Sequence, residues 1–131
     1  ASVRFLPFQP AERLAESLGA ADVHLVAMDE ALAGLVVPSK LYGALAAGRP
    51  VVFVGPEQSE AARLIREHAC GTVVSGVAPD ALGPAVAHAL AEWAADPEAR
   101  AAAGERAAKA APVGPDAAAF ARVLTEACAK A

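Results

Sequence analysis

The chain has 131 residues, a length that fits one domain and suffices to bury a hydrophobic core. Its net charge of −4 and its isoelectric point near 5.3 argue against nucleic acid as a partner, because duplex binding depends on many basic contacts. No run reaches the roughly 18 consecutive apolar residues that a membrane-spanning helix needs, and no signal-peptide pattern opens the sequence.

Short apolar runs alternate with helical patterns along the chain. The predicted strands are β-branched or fully apolar and bounded by turn residues, which is typical of buried parallel strands; they cover residues 3–6, 22–27, 50–54 and 71–75. The predicted helices cover residues 10–18, 38–47, 58–69, 80–94, 97–110 and 115–129. Because crossovers between parallel strands are right-handed, this order predicts an α/β fold, a Rossmann-like parallel sheet flanked by helices, in one domain over residues 1–131.

Local signals support several of these helices. The pair Asp96-Pro97 combines a capping residue with a proline at the first helical position. One apolar stripe of the preceding helix is expected to face the sheet, and it consists of Leu82, Val86, Ala89, Leu90 and Trp93. Pro112, Gly114 and Pro115 interrupt the chain, so residues 112–131 are expected to form a C-terminal helix after a break.

The segment from residue 36 to residue 52 is the most informative part of the sequence. With Pro38 at the first helical position, the N–H groups of Ser39, Lys40 and Leu41 are expected to be unpaired. Together with the helix dipole and the Lys40 ammonium group, these donors predict an anion site. Gly48 stands where a left-handed helix cap is needed before the strand at 50–54.

Pro-Ser-Lys-Leu-Tyr at 38–42, followed by Leu-Ala-Ala-Gly-Arg-Pro-Val-Val at 45–52, resembles the donor-binding half of GT-B glycosyltransferases. The similarity is to the retaining group that uses nucleotide sugars, in its capsule, exopolysaccharide and colanic-acid type. It extends over roughly residues 3–110 and includes Val-Arg-Phe-Leu-Pro-Phe at 3–8, Ala-Asp-Val at 21–23 and Cys-Gly-Thr-Val-Val at 70–74.

The resemblance implies the nucleotide-sugar-binding, C-terminal half of an enzyme that transfers a hexosyl group during synthesis of bacterial surface polysaccharide. The donor would be a UDP- or GDP-linked sugar, with no metal or cofactor. The acceptor, a sugar or lipid-linked sugar, would bind through an N-terminal half that this chain lacks, so we expect a fragment that is inactive alone. A free sheet edge would offer a dimer contact. The expected location is the cytoplasm, with peripheral attachment of the intact protein at the inner face of the membrane.

The candidate substrate-binding residues are Pro38, Ser39, Lys40, Leu41, Tyr42, Phe8 and Glu60. The first four would hold the diphosphate, although a solvated helix start would show the same residues. Tyr42 could equally pack in the core. Phe8 falls near the nucleotide-base pocket by resemblance, and it could also be a core residue. Glu60 lies in the first turn of its helix, where a carboxylate also stabilises through the dipole alone.

Two positions depart from the family pattern. One glutamate is expected near the donor sugar and a second eight positions later at the ribose, but these positions hold Leu35 and Gly43. The catalytic residue is therefore unknown. Asp29 and Glu30, which follow the second predicted strand, are candidates for a displaced sugar contact. The alternatives are a non-catalytic nucleotide-binding or assembly module and a sugar-nucleotide epimerase of the same architecture.

Histidines and cysteines give no sign of a metal site. His24, His68 and His88 do not share the spacing of metal ligands. Cys70 and Cys128 lie far apart, and Cys70 is expected to line the corner between a helix and a strand as a small apolar residue.

Overall fold

A computed structural model of the chain describes residues 3–111. The predicted helix at 115–129, the break before it and Cys128 lie outside the described residues. Three parallel strands form one sheet in the order β1-β2-β3; they are β1 (His24–Ala27), β2 (Val51–Val54) and β3 (Gly71–Val74). The α-helices that flank the sheet are α1 (Leu14–Gly19), α2 (Ser39–Ala46), α3 (Glu60–His68), α4 (Pro79–Ala95) and α5 (Pro97–Ala110). The α/β, Rossmann-like architecture predicted from the sequence is confirmed for this part of the chain.

The predicted strand at residues 3–6 is wrong. Residues 3–10 have no regular secondary structure, and Phe5 and Phe8 are 96% and 73% exposed. The apolar pattern indicates a strand, but a strand also needs a neighbour to complete its hydrogen-bond ladder. In the described sheet β1 pairs with β2 alone, and no ladder includes residues 3–6. The predicted helix at 10–18 divides into a 3-10 helix, Ala11–Arg13, followed by α1.

The two faces of the sheet pack against different helices. Side chains alternate along β2, so Val51 and Phe53 contact a core cluster that includes Leu41 and Leu45 of α2 and Ile65 of α3. Val52 faces the other way, against α4. The predicted stripe of α4 is confirmed, because all of its members pack in this second cluster. Trp93 at its end also donates a hydrogen bond from Nε1 to Oγ1 of Thr72, at 3.0 Å.

The turn between α2 and β2 follows the predicted glycine cap. Gly48 has φ +66°, and its N–H donates to the carbonyl oxygen of Leu45 at 2.9 Å. The N–H of Arg49 donates to Ala44 at 3.2 Å, which completes a Schellman motif. A Cβ atom at Gly104 would collide with the carbonyl oxygen of Gly48. Glycine at position 104 therefore lets α5 pack directly against this turn.

The predicted capping of α5 is also confirmed. Pro97 is the first helical residue, and Oδ1 of Asp96 accepts a hydrogen bond from the N–H of Ala99 at 2.9 Å. Cys70 occupies the corner between α3 and β3, where it is fully buried, and burial raises the pKa of its thiol. Its packing is that of a small apolar residue, as the sequence predicts.

Candidate functional site

The carboxyl ends of the three strands meet at one edge of the sheet, and a cleft of about 290 Å³ opens there. Each strand contributes the residues that follow it. They include Asp29 and Glu30 after β1, Gly55 after β2, and Ser75 and Gly76 after β3. Open α/β sheets bind ligands at this edge. We call this feature the carboxyl-edge cleft.

The carboxyl-edge cleft has an apolar wall and acidic residues at its opening. Met28 and Val74 are buried beside it, while Asp29 and Glu30 are exposed. Oδ1 of Asp29 accepts a hydrogen bond from the N–H of Ala31 at 2.8 Å and so caps the short 3-10 helix Glu30–Leu32. This cap fixes the Asp29 side chain, whereas no hydrogen bond to the Glu30 carboxylate occurs within residues 3–111. Carboxylates are hydrogen-bond acceptors, so the opening suits a ligand that bears hydroxyl groups.

The cleft also includes three residues that no sequence motif marks as site residues, Gly55, Ser75 and Gly76. A Cβ atom at Gly55 would lie 3.0 Å from the carbonyl oxygen of Met28 and closer still to the ring of Phe53. Gly76 has φ +64° and open space around it. A turn residue directly after an apolar strand was the signal that could have identified these positions, since in a parallel sheet such residues share one edge.

The start of α2 differs from the prediction by one residue. Pro38 is the residue before the helix, with φ −63° and ψ 123°, and Ser39 is the first helical residue. The N–H of Leu41 donates to the carbonyl oxygen of Pro38 at 3.0 Å, so the prediction of an unpaired donor is wrong for Leu41. A tight first turn explains this, because it closes one bond that an ideal α-helix leaves open. Within residues 3–111, the N–H groups of Ser39 and Lys40 have no acceptor.

The remaining candidates are distributed between surface and core. Ser39 and Lys40 are exposed, Tyr42 is half-buried, and the Leu41 side chain is fully buried in the core cluster. Phe8 lies in the irregular segment that precedes α1. The structure thus brings Ser39 and Lys40 to the carboxyl edge of the sheet, since α2 begins after the loop that follows β1.

Glu60 lies at the beginning of α3, on the same edge of the sheet. Its carboxylate forms an ion pair with Arg63, which lowers the pKa of Glu60. The helix itself is capped by Ser59, a buried residue whose Oγ accepts from the N–H of Ala62 at 3.2 Å and donates to the carbonyl oxygen of Pro56 at 2.7 Å. Ser59 thus satisfies a donor of α3 that an anion would otherwise bind, whereas α2 has no side-chain cap.

The two positions that lack the expected glutamates have different surroundings. Leu35 is 75% exposed in the loop before α2. Gly43 is buried in α2, where a Cβ atom would lie 3.2 Å from Cδ1 of Leu18 in α1. The Leu18 side chain would therefore have to shift slightly for any side chain at position 43, and burial would disfavour the charge of a glutamate there.

Residues 3–111 contain neither a cluster of metal ligands nor a helix that could span a membrane. No three side chains of histidine, cysteine, aspartate or glutamate lie close enough to hold a metal ion. In the same range, every helix is too short or too polar to cross a bilayer.

Residues 3–111 thus form a Rossmann-like α/β fold with a cleft at the carboxyl ends of its strands. Over 54 residues the chain is 43% identical to a protein described as a probable glycosyltransferase, WbjE of Pseudomonas aeruginosa. This similarity covers 41% of the chain and 14% of that protein's length. No protein-family model and no solved structure matches the chain. The similarity supports a glycosyltransferase-like role.

Proposed function

We propose that the chain is the nucleotide-sugar-binding part of a bacterial glycosyltransferase that transfers a hexosyl group during surface polysaccharide synthesis. The intact enzyme would have the GT-B architecture and would retain the configuration of the sugar. The observation that carries the proposal is the uncapped start of α2, where two unpaired N–H groups and the Lys40 side chain lie at the same sheet edge as the carboxyl-edge cleft.

The charges at this edge suggest how a donor would be oriented. The diphosphate would bind at Ser39 and Lys40, where the helix dipole and the ammonium group both favour negative charge. The hydroxyl groups of the donor would face the carboxylates of the cleft, because two acidic side chains repel a phosphate and accept hydrogen bonds from hydroxyls. Glu60, already paired with Arg63, would lie at the rim of this arrangement.

In the intact enzyme the start of α2 would act on the leaving nucleotide. As the bond between sugar and diphosphate breaks, negative charge grows on the phosphate oxygen, and fixed N–H dipoles stabilise it without reorganising. The acceptor and the remaining catalytic groups would come from another part of the protein. We expect no transfer by this chain alone, because the groups that would orient the acceptor against the donor belong to that other part.

A second candidate function is a nucleotide-binding module without catalysis. It is favoured by the absence of an acidic side chain at positions 35 and 43, of which position 43 is buried beside Leu18. Both candidates predict nucleotide binding, and only sugar transfer by the intact protein separates them.

Titration of the chain with UDP and with GDP, followed by amide chemical shifts, tests the binding site. We expect a dissociation constant of about 1 mM and shifts at Ser39, Lys40 and Gly76. Lys40→Ala should weaken binding about tenfold, since a hydrogen bond to a charged group is lost. Lys109→Ala, which removes an exposed lysine from α5, is the matched control. Shifts confined to residues away from the carboxyl edge would contradict the proposal.

A further inference from the structure

A second, smaller cavity of about 160 Å³ lies at the opposite edge of the sheet. It is bounded by residues that precede β1 and β2 and by the start of α5, including Asp22, Arg49, Pro50, Pro97 and Arg100. We call it the amino-edge cavity. It shares no residue with the carboxyl-edge cleft, and the proposed function leaves it unused.

Two guanidinium groups line this cavity, and the protein satisfies them only in part. Nη2 of Arg49 donates to the carbonyl oxygen of Gly19 at 2.6 Å, and Nη1 of Arg100 donates to that of Trp93 at 3.0 Å. These bonds to neutral carbonyls hold both side chains in place without neutralising their charges. Within residues 3–111, Nε of Arg49 is buried and has no hydrogen-bond partner.

The negative charge near the two arginines is small. Oδ1 of Asp22 lies 3.9 Å from Nη2 of Arg100, which is too long for a hydrogen bond. The Asp22 side chain is 76% exposed, whereas that of Arg100 is 24% exposed, so solvent screens the carboxylate more than the guanidinium. Two cations that share one cavity with a single solvated carboxylate leave a site of net positive charge.

We propose that the amino-edge cavity binds a small tetrahedral oxyanion of phosphate size, held by Arg49 and Arg100. A doubly charged oxyanion matches two guanidinium groups, whose planar arrangement of donors suits phosphate oxygens. The cavity accommodates such an ion, and its volume is clearly smaller than that of the carboxyl-edge cleft. The same ion would link α5 to the turn before β2.

Thermal melting of the chain in inorganic phosphate, against sodium chloride of equal ionic strength, tests this site. We expect phosphate at about 20 mM to raise the Tm by several degrees, because a ligand of native protein stabilises it by mass action. Arg100→Gln should abolish most of the increase. Arg106→Gln is the matched control: it also removes a charge from α5 and one hydrogen bond to a backbone carbonyl, that of Ala69, but leaves the cavity intact.

Phosphate could also bind at the start of α2, so Lys40→Ala is included to separate the two sites. The proposal requires that Lys40→Ala keeps the increase in Tm and that Arg100→Gln loses it. The opposite pattern, or no increase in the unaltered chain, overturns it. If Arg100→Gln does not fold, amide shifts of the unaltered chain decide: shifts with phosphate at Gly48, Arg49 and Ala101 support the site, and their absence refutes it.

Discussion

Two glycines at the amino edge of the sheet, Gly71 and Gly104, differ from Gly76 at the carboxyl edge in the space around them. At the amino edge, Cβ atoms at Gly71 and Gly104 would collide with the carbonyl oxygens of Val51 and Gly48, so glycine there permits backbone to pack on backbone. At the carboxyl edge, Gly76 has a positive φ with open space around it. The backbone is therefore closely packed at Gly71 and Gly104, whereas the space around Gly76, which lines the carboxyl-edge cleft, is open.

Alanine substitutions should separate these two kinds of glycine most strongly. Gly71→Ala is expected to lower the free energy of unfolding by about 4 kcal/mol, because the new methyl group forces β3 away from β2. Gly76→Ala should cost only about 1 kcal/mol, the penalty for a left-handed alanine without a collision. Urea denaturation of both variants measures the difference. Equal losses of stability would show that position 71 tolerates a methyl group as well as position 76 does.

Helix α2 allows a similar comparison between an exposed and a buried position. Its start lies at the carboxyl edge, and its buried side chains pack against the sheet. Leu45→Ala should lower the free energy of unfolding by about 3 kcal/mol through a cavity, because Leu45 is fully buried. Lys40→Ala should change it by no more than about 0.5 kcal/mol, since Lys40 is exposed. Nucleotide titration of the folded variants should show the reverse order for affinity: Lys40→Ala weakens nucleotide binding more than Leu45→Ala does. If Lys40→Ala lowers stability as much as Leu45→Ala, Lys40 has a structural role instead.

Ala69 offers a stabilising change at the amino edge. It ends α3 with φ +48°, a conformation that costs a residue with a Cβ atom about 1 kcal/mol. Ala69→Gly should therefore raise the free energy of unfolding by up to about 1 kcal/mol. Ala102→Gly, at an exposed position in the middle of α5, should lower it by about 0.5–1 kcal/mol. Thermal melting of the two variants checks the opposite signs, and a loss of stability in Ala69→Gly would refute the strain.

The smallest effect is expected at Glu60 on the carboxyl edge. Arg63 lowers the pKa of Glu60 below its ordinary value of 4.5, so the stabilisation is complete above pH 4.5 and disappears as pH falls through the lowered value. Glu60→Gln should make the Tm slightly less sensitive to acid between pH 5 and about 3, because an exposed ion pair contributes little. Glu105→Gln is the control. It removes a carboxylate that has no ion pair within residues 3–111, and it should leave the acid sensitivity of the Tm unchanged. Identical acid profiles for the two variants would show that the ion pair between Glu60 and Arg63 does not contribute to stability.

The candidate site was predictable where a local signal decides the structure. A proline before a lysine-bearing helix and a glycine after it were enough to predict the uncapped start and the left-handed end of α2. The bond from Leu41 to Pro38 was not predictable, because the geometry of one first turn depends on how the preceding loop enters it. The close packing around Gly55 was not predictable either, because it involves the carbonyl oxygen of Met28, which belongs to a distant part of the sequence.

By itself, the sequence determined the alternation of strands and helices after residue 20, the left-handed end of α2, the cap of α5, and the face of α4 that packs on the sheet. These features depend on residues a few positions apart, whose propensities and periodicity act locally. Only the tertiary structure decided that residues 3–6 form no strand and that Arg49 and Arg100 share a cavity. Strand pairing and charge clustering join residues distant in the chain, and a local pattern carries no information about which partner is present.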